Sequence, residues 1–513
     1  MNNLRNRVSA IFAFLTIISM NACGVGGDTG GSSGGGGFGG GSFAGDTNTG
    51  QIVGFGSIIV NGIEFSRKTG LADNRVKLGF DNISGASEER LQVGMVVKVK
   101  GTFNSATGKG EYESIEFQPE LRGRLDEVND AAGTVQAMGR TVQIEPNTQF
   151  GNLRDLAELA TALAGGLHPE LEVSGNLDGN GILHATRISR VALDFANNSR
   201  VEIKGAIETV GTGTFTIGGV TVNTAGATFA NMTAADIAVA LLVEVKGTFN
   251  TTTNTITNAR IEKKRAVEAE ADDKVLVKGI AAGTIANDSF TLNGPNGAIT
   301  VKSAAAAFSK NGVAATSAIV TAGTLLQVEG SLDASGAVVA TKVAVEIEKT
   351  VKLLGIMSAK DGTAGTLTVN GVKLTVVPPT RFIDSSSARL SPFTLADLIA
   401  NVDHVGVAGF VDAAGKVIAA QVERFDSQGN NRTFIQGPVS DKTANTMTIL
   451  GITVTVGAGT RFENPDKTPF TGGPTAFIGA IVPNVTVVKA RGTFTATGGL
   501  DATTGEVQLN QLP

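Results

Sequence analysis

The sequence predicts an all-β protein: tandem small five-stranded antiparallel barrels of the OB type, some with a short helix between strands three and four. Three observations predict it. Two ladders of glycine repeat along the 513 residues, Val- and Thr-rich segments alternate apolar and polar residues, and tight-turn pairs join those segments. One ladder ends strand-like text such as "VKGTF" and "VEGSL" at Gly101, Gly175, Gly247, Gly330, Gly409 and Gly492. The other runs through Gly54, Gly123, Gly205, Gly279, Gly355 and Gly437. Two markers of matching period identify a repeat. A unit of this size is near the smallest that folds alone.

Within a unit the elements keep one order. A first strand holds a ladder glycine, as in "VEIKGAIETV". A second strand and a third form a hairpin, as in "SIIV-NG-IEF". Asn61-Gly62 and Asn370-Gly371 are its strongest signals, because a type I′ turn needs positive φ at both central residues. Gly218-Gly219 and Leu450-Gly451 fill the same place. A Phe follows the third strand: Phe150, Phe229, Phe382 and Phe462, with Phe308 a looser match. It reads as a core plug at one end of the barrel. The segment "NLRDLAELATALAGG" has Leu153, Leu156, Ala160 and Leu163 at helical spacing and ends in glycine. "SPFTLADLIANV" offers Ser391 as a cap and Pro392 for a first turn. Strands four and five close the unit through turns such as "LDGNG" and "LDASG".

Strand, hairpin, helix, hairpin is the order of an OB-type barrel. Closure would remove the exposed edges of such short strands. The alternative is a half-open sheet pairing edge to edge with its neighbour. The expected repeats are 51–120, 121–194, 201–265, 275–348, 351–425 and 432–513, lying in a row, each with its own core.

Residues 1–22 read as a signal peptide: Arg5 and Arg7, an apolar run from Val8 to Met20, then Cys23, the single cysteine. The run is too short to span a bilayer. Met20, Ala22 and Cys23 resemble a bacterial lipoprotein signal, which implies lipidation of Cys23. Gly24, in place of an Asp, resembles sorting to the outer membrane. Residues 23–50 are too rich in Gly to fold and form a tether, with a reach of roughly 30 Å.

The segments "GFGSIIVNGIEF" and "LQVGMVVKVKG", with closing strands such as "ATRISR" and "ATKVAVE", resemble the bacterial family known as domain of unknown function 5666. The resemblance extends from Gly50 to Pro513, is clearest in the first unit and weakest in the sixth. It implies exported, often lipid-anchored repeat proteins and brings no catalytic residue.

Composition narrows the chemistry. Net charge is −5 and Trp is absent, against the basic groove and aromatic platforms of single-strand nucleic-acid binders. No nucleic-acid partner is expected. The three histidines, His168, His184 and His404, lack ligand-spaced partners in sequence. Asp178, Asp333, Asp412 and Asp501 recur in one hairpin turn, whose geometry explains them better than calcium. Glu111 and Glu113 would share a strand face, which a solvated strand end explains better than glycoside chemistry. No "GxSxG" elbow is present. The expectation is therefore no metal, no cofactor and no enzyme. It is an envelope-anchored scaffold, spacer or adhesin-like array, lipid-anchored at the outer membrane and facing periplasm or exterior. The alternative is a module binding an envelope glycan or surface polymer.

Overall fold

The computed structural model describes residues 46–510, apart from 56, 73, 81–82, 346–349, 413, 427–432 and 496. The signal segment 1–22, Cys23 and the tether as far as residue 45 lie outside the described residues.

Repeat 2 shows the plan. Its first strand (Leu121–Asn129) pairs with the second (Thr134–Ala137), which pairs with the third (Arg140–Gly151). The third runs parallel to the fifth (Leu183–Ala192). The fifth pairs with the fourth (Glu170–Leu177), and the fourth returns to the first. The ring is closed in the order 1-2-3-5-4. Repeats 1, 4, 5 and 6 close in the same order, and in repeat 3 a short continuation of the first strand, Thr209–Gly211, makes the pairing to strand two. The predicted barrels are thus present, with one parallel pairing in each otherwise antiparallel ring.

Both glycine ladders have a steric cause. Gly101, Gly175, Gly330 and Gly409 sit at a bulge between strands four and five. A Cβ at Gly330 would lie 2.2 Å from the Val339 carbonyl oxygen, and one at Gly409 would lie 2.0 Å from that of Ile418. The other ladder receives the hairpin between strands two and three. Met138, Asn370 and Leu450 have positive φ and fold their side chains over Gly123, Gly355 and Gly437. In repeat 1 the covered glycine is Gly50, under Asn61. Gly50 pairs with Val97 as Gly355 pairs with Val405, so Gly50, not Gly54, belongs to the ladder. The first strand accordingly spans Asp46–Gly54, and "DTNTG", read as tether, is its first half.

Segments between strands three and four vary. Repeat 2 has a helix, Leu156–Ala164, capped by Asp155. Repeat 6 has another, Gly473–Ala480. In repeat 5 only a 3-10 turn forms, Leu395–Asp397, and Thr394 rather than Ser391 caps it: Asp397 accepts from both its N–H and its hydroxyl. Repeat 1 has a hairpin there instead (Val76–Leu78 with Ile83–Ala86). The recurring Phe pairs with strand five. Phe462 is buried against Phe477, while Phe150, Phe229, Phe308 and Phe382 are partly buried against the cores.

The units do not lie in a row. First strands of repeats 2 and 3 pair antiparallel, Leu121 opposite Ile203. Those of repeats 5 and 6 pair in the same register, Leu353 opposite Ile435. Each of these four residues stands two before its ladder glycine, so both seams have the same local two-fold. Repeat 1 pairs in parallel with repeat 4, three units away in sequence, Asn48 opposite Leu276. Nor is every core separate: repeats 2 and 3 share one apolar cluster, and repeats 5 and 6 another. Repeats 1, 2 and 5 meet at a polar hub. Buried Arg187 donates to the Val93 carbonyl and to Gln92. Gln421 accepts from the Val93 N–H, and Glu423 accepts from the Asn152 N–H and the Ser385 hydroxyl.

The bulge argument is testable within repeat 4. Gly330→Ala forces a Cβ into backbone and is expected to cost about 1–3 kcal/mol. Gly283→Ala, with nothing within 4 Å, is expected to stay within about 0.5 kcal/mol. Urea denaturation midpoints of the two variants make the comparison.

Candidate functional site

The residues singled out from sequence are dispersed. His168 Nδ1 lies 3.0 Å from the Leu125 carbonyl, with the Arg124 guanidinium against its ring. His404 is buried, with neither ring nitrogen hydrogen-bonded. Burial and then Arg154 push it down to about 4. His184 differs from its sequence reading, because the fold brings it two carboxylates. Its Nδ1 is 2.7 Å from Glu145 and its Nε2 is 3.5 Å from Asp178. Burial would lower its pKa, but Glu145 and Asp178 hold it raised. Among the described residues no group of three or more His, Cys, Asp or Glu side chains is placed to hold a metal ion.

Asp178, Asp333 and Asp412 do occupy one hairpin turn, each accepting N–H bonds from two and four residues on. Asp501 does not. It lies on strand five beyond that turn, opposite Thr493. Glu113 is ion-paired with Lys68. Tyr112, the only tyrosine, is buried and donates to Glu88. Thr148, Thr380 and Thr460, just before the recurring Phe, were not singled out from sequence. Each accepts from an N–H three residues earlier and donates to a strand-five carbonyl, pinning the third strand where it bulges.

An open groove of about 480 Å³ lies on repeat 1. Glu64 and Ser66 of strand three, Thr102 of strand four and Asn104, Thr107 and Glu111 around the following turn line it. This is the face that OB-type barrels use for oligomeric ligands. Its polar groups are hydroxyl, amide and carboxylate, Phe103 and Gly110 add apolar surface, and its one lysine, Lys109, is ion-paired with Glu64.

A second polar assembly is buried. Repeat 1 and residues 264–270 cover the outer face of the seam between repeats 2 and 3. Lys204 pairs with Glu120 at 3.0 Å, and Lys246 with Glu244 at 2.7 Å and Glu202 at 3.6 Å. Lys264 pairs with Glu268 at 2.6 Å. Lys246 also donates to the Gly79 carbonyl of repeat 1. Burial pushes Glu120 up to about 7 against the pull of Lys204. Glu202 is fully buried, neither of its oxygens accepts a hydrogen bond, and burial followed by the charge of Glu244 raises it. In sequence these residues alternate with apolar ones beside the glycines and read as solvated outer faces.

Five stretches, 122–189, 204–262, 273–344, 355–423 and 436–504, match a family described as Domain of unknown function (DUF5666). The chain belongs to that family. Each DUF5666 match covers most of one barrel. The first barrel, expected to be the clearest, is not among them. The sixth, expected to be the weakest, is matched. No curated protein matches the chain.

The buried carboxyls set a pH dependence. Folded pKa values above the unfolded value mean that the folded state binds more protons. The stability this confers is full below about pH 4.5 and is lost as pH rises through about 7. Urea midpoints are expected to fall between about pH 5 and 7, by the equivalent of about 1–3 kcal/mol. Glu202→Gln, which removes a buried carboxyl that accepts no hydrogen bond, is expected to flatten that fall. An unchanged slope would rule out Glu202 as its source.

Proposed function

We propose that the chain is a non-enzymatic lipoprotein, anchored through lipid on Cys23 in the bacterial outer membrane and facing periplasm or exterior. There it acts as a rigid scaffold. The observation that supports scaffold over spacer is the buried hub joining repeats 1, 2 and 5, with Arg187, Gln421 and Glu423 at its centre. A spacer gains reach from units in a row. Clustered barrels give up that reach and gain a fixed arrangement of surfaces. The tether after Cys23 would hold such a body clear of the headgroups.

The test has two parts. Cys23→Ala is expected to move the protein from the membrane fraction to the soluble one. Small-angle scattering of the released body is expected to give a radius of gyration of about 23 Å, the value for a compact chain of this length. On the order of 40 Å would mean a row of barrels and would remove the scaffold reading.

A second reading, binding of a hydroxyl-rich envelope glycan, is favoured by the repeat 1 groove. Its hydroxyl, amide and carboxylate lining suits sugar hydroxyls. A glycan array on the intact body is expected to give hits that Asn104→Ala with Glu111→Gln abolishes. Hits that survive the double variant would place binding elsewhere.

A further inference from the structure

The seams between repeats 2 and 3 and between repeats 5 and 6 have one register but opposite chemistry. Crossing the first seam, Glu120 meets Lys204, which stands opposite Glu244, which stands opposite Glu262. Crossing the second, Lys352 stands opposite Gln436, then Lys489, then Gln508. Counted from the ladder glycines, Glu120 corresponds to Lys352 and Lys204 to Gln436, so Glu244 corresponds to Lys489. Acid, base, acid in one seam becomes base, amide, base in the other.

These lysines are enclosed. Lys352 is 5 % exposed and Lys489 8 %. Lys352 donates to the Pro146 and Thr148 carbonyls of repeat 2. Lys489 has no hydrogen bond or ion pair among the described residues, and its ammonium lies 4.6 Å from the centre of the Phe434 ring. Arg491, two residues on and on the same face, also has none. It lies 5.6 Å from the same ring, and its Nε is buried without a partner. Two carboxylates lie nearby: Glu463 and Glu506 both pair with Arg461, and Glu506 also stands opposite Arg491, so two acids face Arg461, Lys467, Lys489 and Arg491. Lys467 faces the same region and donates to the Asp130 carbonyl. Burial, with Arg491 and Lys352 next, holds Lys489 well below its usual range. A buried ammonium without a counter-charge is strongly disfavoured. The matching position of the first seam meets that need with Glu244.

We propose that this seam takes a small oxyanion, phosphate or sulfate, between the Lys489 ammonium and the Arg491 guanidinium. The anion supplies the charge that carboxylates supply at the seam of repeats 2 and 3. An ammonium with three donors and a guanidinium fork suit a tetrahedral oxyanion. Bound there, it would tie the pair of repeats 5 and 6 to repeat 2, whose Pro146–Thr148 segment covers the row.

Calorimetric titration of the intact protein with sodium phosphate, and separately with sodium sulfate, at constant ionic strength set by chloride, tests this. The expected result is saturable binding of one anion per chain. The melting midpoint should rise by about 1–2 °C at ten times the dissociation constant. Arg491→Gln is expected to weaken the affinity at least about tenfold, as loss of one charge-assisted contact implies. Lys489→Glu, which restores the acid of the other seam, is expected to bind no phosphate and to melt no lower than wild type in phosphate-free buffer. Absence of saturable binding in the wild type overturns the proposal. So does an equal response in both variants, which would reduce the effect to general salting. If Lys489→Glu fails to fold, Arg491→Gln against wild type decides by itself.

Discussion

A first strand that closes one of these rings cannot fill both of its own edges. Its whole first half pairs with strand four on one side, and only its second half meets strand two on the other. In repeat 5, Thr350–Ile356 pair with strand four, while Met357–Asp361 pair with strand two. Lys352–Leu354 are left with an open edge, which the first strand of repeat 6 occupies. Open edges of short apolar strands recruit other strands. Here the recruits come from the same chain: repeat 3 for repeat 2, repeat 6 for repeat 5, and repeat 4 for repeat 1. The rest of the arrangement follows from that constraint.

Pairing the first strands makes one continuous sheet from two barrels. In repeats 2 and 3 and in repeats 5 and 6 the inner faces merge into a shared core, and the outer faces of those seams are polar. The polar faces then serve as docking floors for a third unit. Repeat 1 lies on the seam of repeats 2 and 3 through Gly79 and Phe80, and repeat 2 lies on the seam of repeats 5 and 6 through Pro146 and Asn147. Charges placed for solvent in an isolated barrel end inside the molecule. That explains why this chain buries so many lysines and glutamates, and why its most perturbed ionisable groups are at seams rather than in a cleft. In such interiors each charge must be matched within the interface. The seam of repeats 2 and 3 is matched by its own side chains; that of repeats 5 and 6 carries an excess of cations.

Much of the local structure was legible in residues. Asn61-Gly62 and Asn370-Gly371 dictate type I′ hairpins because both φ angles are positive there. The strand-four glycines were visible as a ladder because a bulge excludes a side chain in every unit. Where the reading failed, another local rule won. Gly54 replaced Gly50 because both stand near "SIIV", and only the pairing to Val97 separates them. Ser391 lost the cap to Thr394, which has an acid three residues on to complete a reciprocal pair. Of the candidate site, only Glu111 was singled out in the sequence, as part of a solvated strand end. The groove was not visible, since it needs strand three laid beside the turn after Phe103.

By itself the sequence determined the unit: five strands, their order, the hairpin turns, the bulge glycines and the Phe that closes toward strand five. These depend on φ preferences, side-chain alternation and contacts within about 75 residues, all written locally. Only the tertiary structure decided which units pair, that a unit may skip two neighbours to do so, and that polar faces become buried. It also decided that His184 acquires Glu145 and Asp178 and that, among the described residues, Lys489 forms no ion pair. The physical reason is that an open strand edge is chemically anonymous: backbone N–H and C=O groups accept any first strand. The choice among six equivalent strands falls to the shapes and charges of whole faces, which no short stretch of sequence contains.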